Sequence, residues 1–347
     1  MEPEREPIVV ACTADESYVM PLAVMLTSLV ARFDSRRALC VYVVDGGIPP
    51  ADRDRLVDSL KRPNVRIQWI PGRSRSSPEL PVWGRLRPAV YERLAIPDYL
   101  PDSLRKAIWL DCDLVLQADL SHLWDTDIGD RYALAVQDMI VPYVSSPMGV
   151  ARHRELGIPG SNKYFNAGVM AVNLALWREH RVAEGVMAYL ERHWEDVVFL
   201  EQEGLNVVLA DKWGELDPRW NQNAGVSGRS FYRARHLDET SYEGVVHDPW
   251  IVHYTGNLKP WSVYSEPRSR ALYFRYLDRT PWAGYRPRKR VADLLLGTYE
   301  TTRLRNVLYP LEKHALQLAR RVSRWRSGRP ADGQLSSSDV EVLTDGK

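Results

Sequence analysis

The segment Lys106-Ala107-Ile108-Trp109-Leu110-Asp111-Cys112-Asp113-Leu114-Val115-Leu116 constrains this chain more than any other. It sets two carboxylates, one residue apart, between two apolar runs. The unbroken run from Ala107 to Leu110 suits a strand covered on both faces, and the chain must leave the sheet where Asp111 begins. In open α/β sheets that strand end is where ligands bind. Two acidic groups this close repel unless a cation holds them. Ligation of a divalent metal by oxygen is therefore one reading, and a solvated loop is the other.

The sequence before this segment alternates strand and helix signals. Ile8 to Cys12 reads as a strand, followed by a loop through Thr13-Ala14-Asp15-Glu16-Ser17-Tyr18 and a largely apolar helix, Met20 to Arg32. Leu39 to Val44 and Val65 to Ile70 read as further strands. The helix between them, Pro50 to Leu60, has its Pro at the start, where the missing N–H is tolerated. Arg73 to Pro81 is rich in Arg, Ser and Pro and reads as a loop. Pro88 to Ile96 reads as a short helix that places Tyr91, Arg93 and Leu94 just ahead of the central strand. The alternation predicts an α/β fold with a mostly parallel central sheet flanked by helices. Neither a Gly-x-Gly-x-x-Gly fingerprint nor a Walker A sequence is present, so phosphates must be held by other means.

Beyond the acidic pair, Leu120 to Trp124 reads as a short turn or helix, and Tyr132 to Val136 as a strand with Asp138 just past its end. Pro142 to Gly160 reads as an irregular excursion that either shapes a site or is plain surface. Lys163 to Asn173 joins a polar turn to an apolar strand, in which the small pair Ala167-Gly168 lets something approach the backbone closely. Ala183 to Trp194 has helical spacing, and Glu201-Gln202-Glu203 opens the next helix, with acids where the macrodipole favours them. No element is assigned between Asn221 and Pro249. Trp250-Ile251-Val252 is a strand that runs into His253-Tyr254-Thr255-Gly256, followed by Lys259-Pro260-Trp261. A His and a Lys flanking a Gly turn can supply a metal nitrogen and a phosphate cation, or can be structural.

The three cysteines, Cys12, Cys40 and Cys112, are odd in number and lie in or beside apolar runs, which fits a reducing compartment rather than a disulfide framework. The N-terminus lacks the apolar run of a signal peptide, and no stretch is long enough to span a bilayer. The expected location is cytoplasmic. From Arg286 to Arg329 twelve basic residues face Asp293, Glu300 and Glu312, a balance of +9 that leaves −8 for the rest of a chain whose net charge is +1. Helices are expected over Ala271 to Leu277, Val291 to Leu308 and Leu311 to Trp325. The last is basic and amphipathic with an aromatic tip, so it either lies peripherally on an anionic membrane or caps the domain. Nucleic acid is not an expected partner. Ser327 to Lys347 is polar and Ser-rich, and disorder is expected there.

Five stretches occur in one order: Ala14-Asp15-Glu16-Ser17-Tyr18, Tyr91-Glu92-Arg93-Leu94, Trp109-Leu110-Asp111-Cys112-Asp113, Phe165-Asn166-Ala167-Gly168-Val169, and His253-Tyr254-Thr255-Gly256 with Lys259-Pro260-Trp261. This combination resembles glycosyltransferase family 8, over about Ile8 to Trp261. The resemblance implies a GT-A fold over residues 1–265, and the residue pattern beyond it gives a helical basic extension over 266–326 and a disordered tail over 327–347. It also implies retaining transfer of glucose or galactose from a UDP-sugar donor to a glycan, lipid-linked or small-molecule acceptor. Asp111, Asp113 and His253 would be metal ligands, a mixed oxygen and nitrogen set compatible with Mn²⁺ or, alternatively, Mg²⁺.

By the same resemblance Thr13, Ala14, Asp15 and Tyr18 would bind the base, with Tyr18 stacked on uracil. The backbone at Cys112 would meet the ribose, and Lys259 and Gly256 the diphosphate. Arg93, Asn166, Ala167, Gly168, Glu201 and Gln202 would surround the donor sugar, and Asp138 would lie near the donor and acceptor hydroxyls. Gln202, Glu201 and Asp138 form the catalytic candidates. The family usually has Asp-Gln-Asp where this chain has Glu201-Gln202-Glu203, so each carboxylate sits one methylene further out. Two other classes stand beside this reading: a haloacid-dehalogenase-type phosphohydrolase, which also begins at a strand ending in Asp-x-Asp, and a sugar-nucleotide-binding protein without turnover.

Overall fold

The computed structural model describes residues 6–33, 37–72, 89–225, 238–256, 259–261 and 267–287. Strand β1 (Ile8–Ala14) leads through a 3-10 turn at Glu16–Tyr18 into α1 (Val19–Arg32), β2 (Leu39–Asp45), α2 (Pro50–Ser59) and β3 (Val65–Pro71). Helices α3 (Ala89–Leu94) and α4 (Ile96–Tyr99) precede β4 (Lys106–Leu110) and β5 (Leu114–Leu116). There follow α5 (Ser121–Trp124), β6 (Ala133–Gln137), β7 (Phe165–Asn173), α6 (Leu174–Glu179), α7 (Val182–His193) and α8 (Leu200–Val208). The described elements close with β8 (Trp213–Glu215), a 3-10 turn at Pro218–Asn221, β9 (Gln222–Asn223), α9 (Glu239–His247), β10 (Ile251–His253) and α10 (Pro267–Leu277).

The main sheet has the strand order β3-β2-β1-β4-β7-β6-β8, and a second, three-stranded sheet has the order β5-β10-β9. In the main sheet β7 alone runs against its neighbours, pairing antiparallel with both β4 and β6. The other pairings in that sheet are parallel, as the alternating pattern requires. β4 sits at the centre with Ala107, Ile108, Trp109 and Leu110 buried, which is what a run without polar alternation demands.

α1 is apolar nearly all round because it is covered on more than one side. Most of it joins the main core, whereas Val24 belongs to a second cluster with Val115, Val252, Tyr273 and Leu277. Its buried Ser28 hydroxyl accepts the Leu116 N–H at 3.0 Å and donates to Met25 O at 2.7 Å. The helix is thereby fastened to the small sheet.

Two expectations change. The helix expected over Pro88 to Ile96 ends at Leu94 as α3, and a second helix, α4, starts at Ile96 with Pro97 in its first turn, where the missing N–H is tolerated. The stretch to Pro249 contains α9, whose N-cap Asp238 accepts the Ser241 N–H at 2.7 Å. The helices expected over 291–308 and 311–325, the tail from 327 and the loop of 73–81 lie outside the described residues.

Glu203 does more than complement a helix dipole. Its side chain is fully buried, accepting the Tyr189 hydroxyl from α7 at 2.9 Å and the Val198 N–H at 2.7 Å. Next to it a Cβ on Gly204 would stand 2.7 Å from Val186 Cγ1, so α7 and α8 cross closely here. Removing the carboxylate strands both donors, at ~1–3 kcal/mol for each buried group left unpaired. Glu203→Ala is expected to lower the unfolding free energy by about 2–4 kcal/mol in urea titrations, and Tyr189→Phe by less.

Candidate active site

Asp111 and Asp113 occupy the step at which the chain leaves the main sheet and enters the small one. Their backbone is held from both sides: the Asp111 N–H donates to Gly168 O on β7 at 2.9 Å, and Asp113 O accepts the Tyr254 N–H at 2.9 Å. β10 runs antiparallel to β5, with His253 opposite Leu114, and parallel to β9, with His253 opposite Asn223. That register brings His253 Nε2 to 3.7 Å from Asp111 Oδ2 and 3.4 Å from Asp113 Oδ1. One ligand atom from each of the three residues lies within 4.8 Å of the others.

Two observations show that this trio suits a metal ion. The other ring nitrogen, His253 Nδ1, is 2.8 Å from Asn221 Oδ1 and so is taken up as a donor, which leaves Nε2 as the nitrogen that faces the carboxylates. The imidazole itself fits only because residue 168 is glycine: a Cβ there would stand 2.3 Å from His253 Cε1. The small pair Ala167-Gly168 thus admits a side chain of this protein. Two carboxylates and an imidazole suit a divalent cation.

Basic groups flank the acidic pair. Arg93, on α3, pairs through Nη2 with Asp111 and through Nη1 with Glu201 Oε1 at 2.7 Å, and its guanidinium lies 5.1 Å from the Trp109 ring centre. Lys259 pairs with Asp113 and donates to Tyr254 O at 2.8 Å. Burial works against the Asp113 carboxylate, but Lys259 and His253 outweigh it and hold the group well below its ordinary value. Burial likewise opposes the charge on Arg93, which Asp111 and Glu201 more than restore, so Arg93 stays a cation. Burial pushes Glu201 up, with Arg93 opposing.

Behind the trio lies a polar layer. Asp138 Oδ1 accepts the N–H groups of Ile140 and Val141 at 2.7 and 2.8 Å. Its Oδ2 accepts Asn166 Nδ2 at 2.9 Å and Gln202 Nε2 at 3.3 Å. Gln202 Oε1 accepts the Ala167 N–H at 3.1 Å. Gln202, Asp138 and Asn166, expected on grounds of resemblance, are therefore one bonded group.

The remaining candidates are placed as follows. The Cys112 thiol donates to Thr13 O at 3.1 Å, and its contact with Cys12 together with burial raises it above the usual thiol range, so it offers no thiolate. Ala14 is buried, and its carbonyl accepts the Gly46 N–H at 2.8 Å. Asp15 Oδ1 accepts from Ser17 N at 2.9 Å and Ser17 Oγ at 2.5 Å, capping the 3-10 turn that presents Tyr18. Tyr18 meets Trp261 edge to face with ring centres 6.0 Å apart. Gly256 turns with φ +81°, a conformation glycine adopts without strain. Sequence reasoning missed Asn221, the partner of His253, because its only mark is an amide after Trp220 whose contact lies 32 residues away.

A mostly parallel sheet with an acidic pair at the end of its central strand defines a GT-A type of nucleotide-sugar fold. Galactosyltransferase LgtC, solved with donor and acceptor sugar analogs, shares this fold with a TM-score of 0.66 at 24% identity, over 79% of this chain and 96% of that one. The family model for glycosyl transferase family 8 matches residues 9–264, and the chain belongs to that family. General stress protein A of Bacillus subtilis is 31% identical over 280 residues, covering 79% of this chain and 94% of that protein. Lipopolysaccharide glucosyltransferase WaaO of Escherichia coli is 25% identical over 291 residues, covering 81% of each.

The Gly168 contact generates a test. Gly168→Ala drives a methyl group into His253, and the displaced ring is expected to weaken Mn²⁺ binding about 10–100-fold, measured by titration calorimetry, while the far-ultraviolet circular dichroism stays unchanged.

Proposed function

We propose that this protein is a retaining hexosyltransferase that moves glucose or galactose from a UDP donor to a hydroxyl of a glycan acceptor. The observation that carries the reading is the convergence of Asp111, Asp113 and His253 with two cations, Lys259 and Arg93, at a strand end. In this reading Asp111, Asp113 and His253 hold Mn²⁺, or Mg²⁺ in its place. When bound, the metal offsets negative charge on a diphosphate leaving group.

The side chains supply the rest. Lys259, which pairs with Asp113, would meet the diphosphate together with the backbone turn at Gly256. Tyr18 and Trp261 give the base an aromatic wall, while Asp15, Thr13, Ala14 and the Cys112 backbone border base and ribose. Arg93, held flat between Asp111, Glu201 and Trp109, is a rigid fork for sugar hydroxyls. Glu201 and Gln202 would line the same sugar, with Asn166, Ala167 and Gly168 beneath it. The Gln202 amide is a weak nucleophile, so we favour attack by the acceptor on the face the phosphate leaves, with a departing phosphate oxygen taking the acceptor proton.

The names of relatives support a glycan acceptor. Besides WaaO, a Salmonella typhimurium protein 24% identical over 198 residues is a lipopolysaccharide 1,3-galactosyltransferase. The two relatives act with different hexoses, so the choice between glucose and galactose rests on a screen of both donors. No described helix is long and apolar enough to cross a membrane. A cytoplasmic location, with the basic residues after 287 touching an anionic membrane face, belongs to this reading as a proposal. The phosphohydrolase and the turnover-free binding protein are not favoured by the family match.

Incubation with UDP-glucose or UDP-galactose should release UDP in the presence of Mn²⁺ and not after chelation. Asp113→Ala should lower that release at least ~100-fold; unchanged release would remove the metal assignment. Gln202→Ala should slow transfer without abolishing it. A covalent glycosyl adduct on Gln202, detected by mass spectrometry, would establish double displacement instead.

A further inference from the structure

The polar layer behind the metal trio is a single chain of hydrogen bonds, and its direction is set by groups that cannot be turned around. A backbone N–H only donates, so the Asn166 atom 2.9 Å from Gly168 N is the amide oxygen. The Asn166 amide nitrogen, which can only donate, then faces Asp138 Oδ2 at 2.9 Å. Asn166 Oδ1 also takes a bond from Asn221 at 2.9 Å, and that atom must be the Asn221 nitrogen. The Asn221 oxygen is left facing His253 Nδ1 at 2.8 Å, and an oxygen there requires a proton on Nδ1. Each step forces the next.

The geometry points to Asn221 as a positioning residue: with Asn166 it transmits the fixed polarity of Asp138 and the Gly168 N–H to His253, keeping a proton on Nδ1 so that Nε2, the nitrogen facing Asp111 and Asp113, is the one that can be given over to a metal. Asp138 thereby serves the metal ligand as well as Gln202, although it touches neither His253 nor the acidic pair. Asn221 and His253 are 5% and 3% exposed, so water is a poor substitute for either partner. A free imidazole favours the opposite tautomer, with the proton on Nε2. That proton would point at the two carboxylates and occupy the place a metal needs.

Asn221 comes into position because it ends the 3-10 turn Pro218–Asn221, directly before β9 pairs with β10. The turn is anchored at its start by Asp217, whose Oδ1 accepts the Arg219 N–H at 2.9 Å. Register therefore ties the amide to the histidine it orients.

The inference rests on the metal reading above, yet its main test needs no metal. The full chain carries eight histidines. With these labelled by ¹⁵N, long-range proton–nitrogen spectra of the metal-free protein report which ring nitrogen of each is protonated, and His253→Gln assigns the signal. His253 is expected to carry a proton on Nδ1 in the unsubstituted protein. Asn221→Ala should shift it toward Nε2–H and weaken Mn²⁺ binding in the presence of UDP about 10–100-fold. Asp138→Asn replaces an acceptor with a donor at the far end of the chain and should move both readouts in the same direction. A neutral His253 protonated on Nε2 in the unsubstituted protein would overturn the inference, whether or not the variants fold. Unaltered Mn²⁺ affinity in a folded Asn221→Ala would do so as well. Failure of the unsubstituted protein to bind Mn²⁺ at all would instead count against the metal reading, and the tautomer would still decide this one.

Discussion

The site depends on one backbone pairing, β10 laid antiparallel against β5. Without it, His253 has no reason to lie near a pair of carboxylates 140 and more positions earlier in the chain. The pairing is possible because β4 stops at Leu110 and the chain restarts as β5 in a different sheet, with Asp111, Cys112 and Asp113 spanning the step. α1 stabilises the arrangement by contributing to both apolar clusters and by bonding Leu116 through Ser28. Gly168 completes it from the opposite side by leaving room for the imidazole.

Electrostatics then makes the cluster tolerable. Two unit charges about 4 Å apart interact with about 4 kcal/mol at the effective dielectric typical near a protein surface, which is a sizeable part of a domain's net stability. Here each carboxylate has its own cation, Arg93 on Asp111 and Lys259 on Asp113. The same two cations are the groups an anionic donor would meet. Stability of the metal-free fold and the proposed attraction for a diphosphate would thus come from one arrangement of charge.

The Glu-Gln-Glu triplet at the start of α8 shows how three neighbouring residues divide between tasks. Glu201 turns to Arg93, Gln202 bridges Asp138 and the Ala167 backbone, and Glu203 turns into the protein to hold α7. Helical geometry separates consecutive side chains by roughly 100°, so a site-facing function for one residue commits the next to another surface. The longer side chains relative to the family's usual Asp-Gln-Asp therefore have different meanings: at 201 the carboxylate reaches a guanidinium, and at 203 it reaches a buried hydroxyl and an amide.

Much of this was legible from the chain itself. Apolar runs fixed where β1, β2, β4 and β7 lie, because a strand buried on both faces leaves a continuous pattern. The Asp-x-Asp, the His before a Gly turn and the Ala-Gly pair each announced a chemical need, and the order in which they occur was specific enough to point to a family. Tertiary structure alone decided what meets what. The amide of Asn221 carries no periodicity and no motif, and α9 rests on a cap at Asp238 rather than on a strong apolar stripe. Gly168 could have been making room for a ligand, and it makes room for His253. Local sequence determines which backbone shape and which chemistry are available at each position. Hydrogen-bond direction and contact at a distance depend on strand register, and register is settled only when the two sheets assemble.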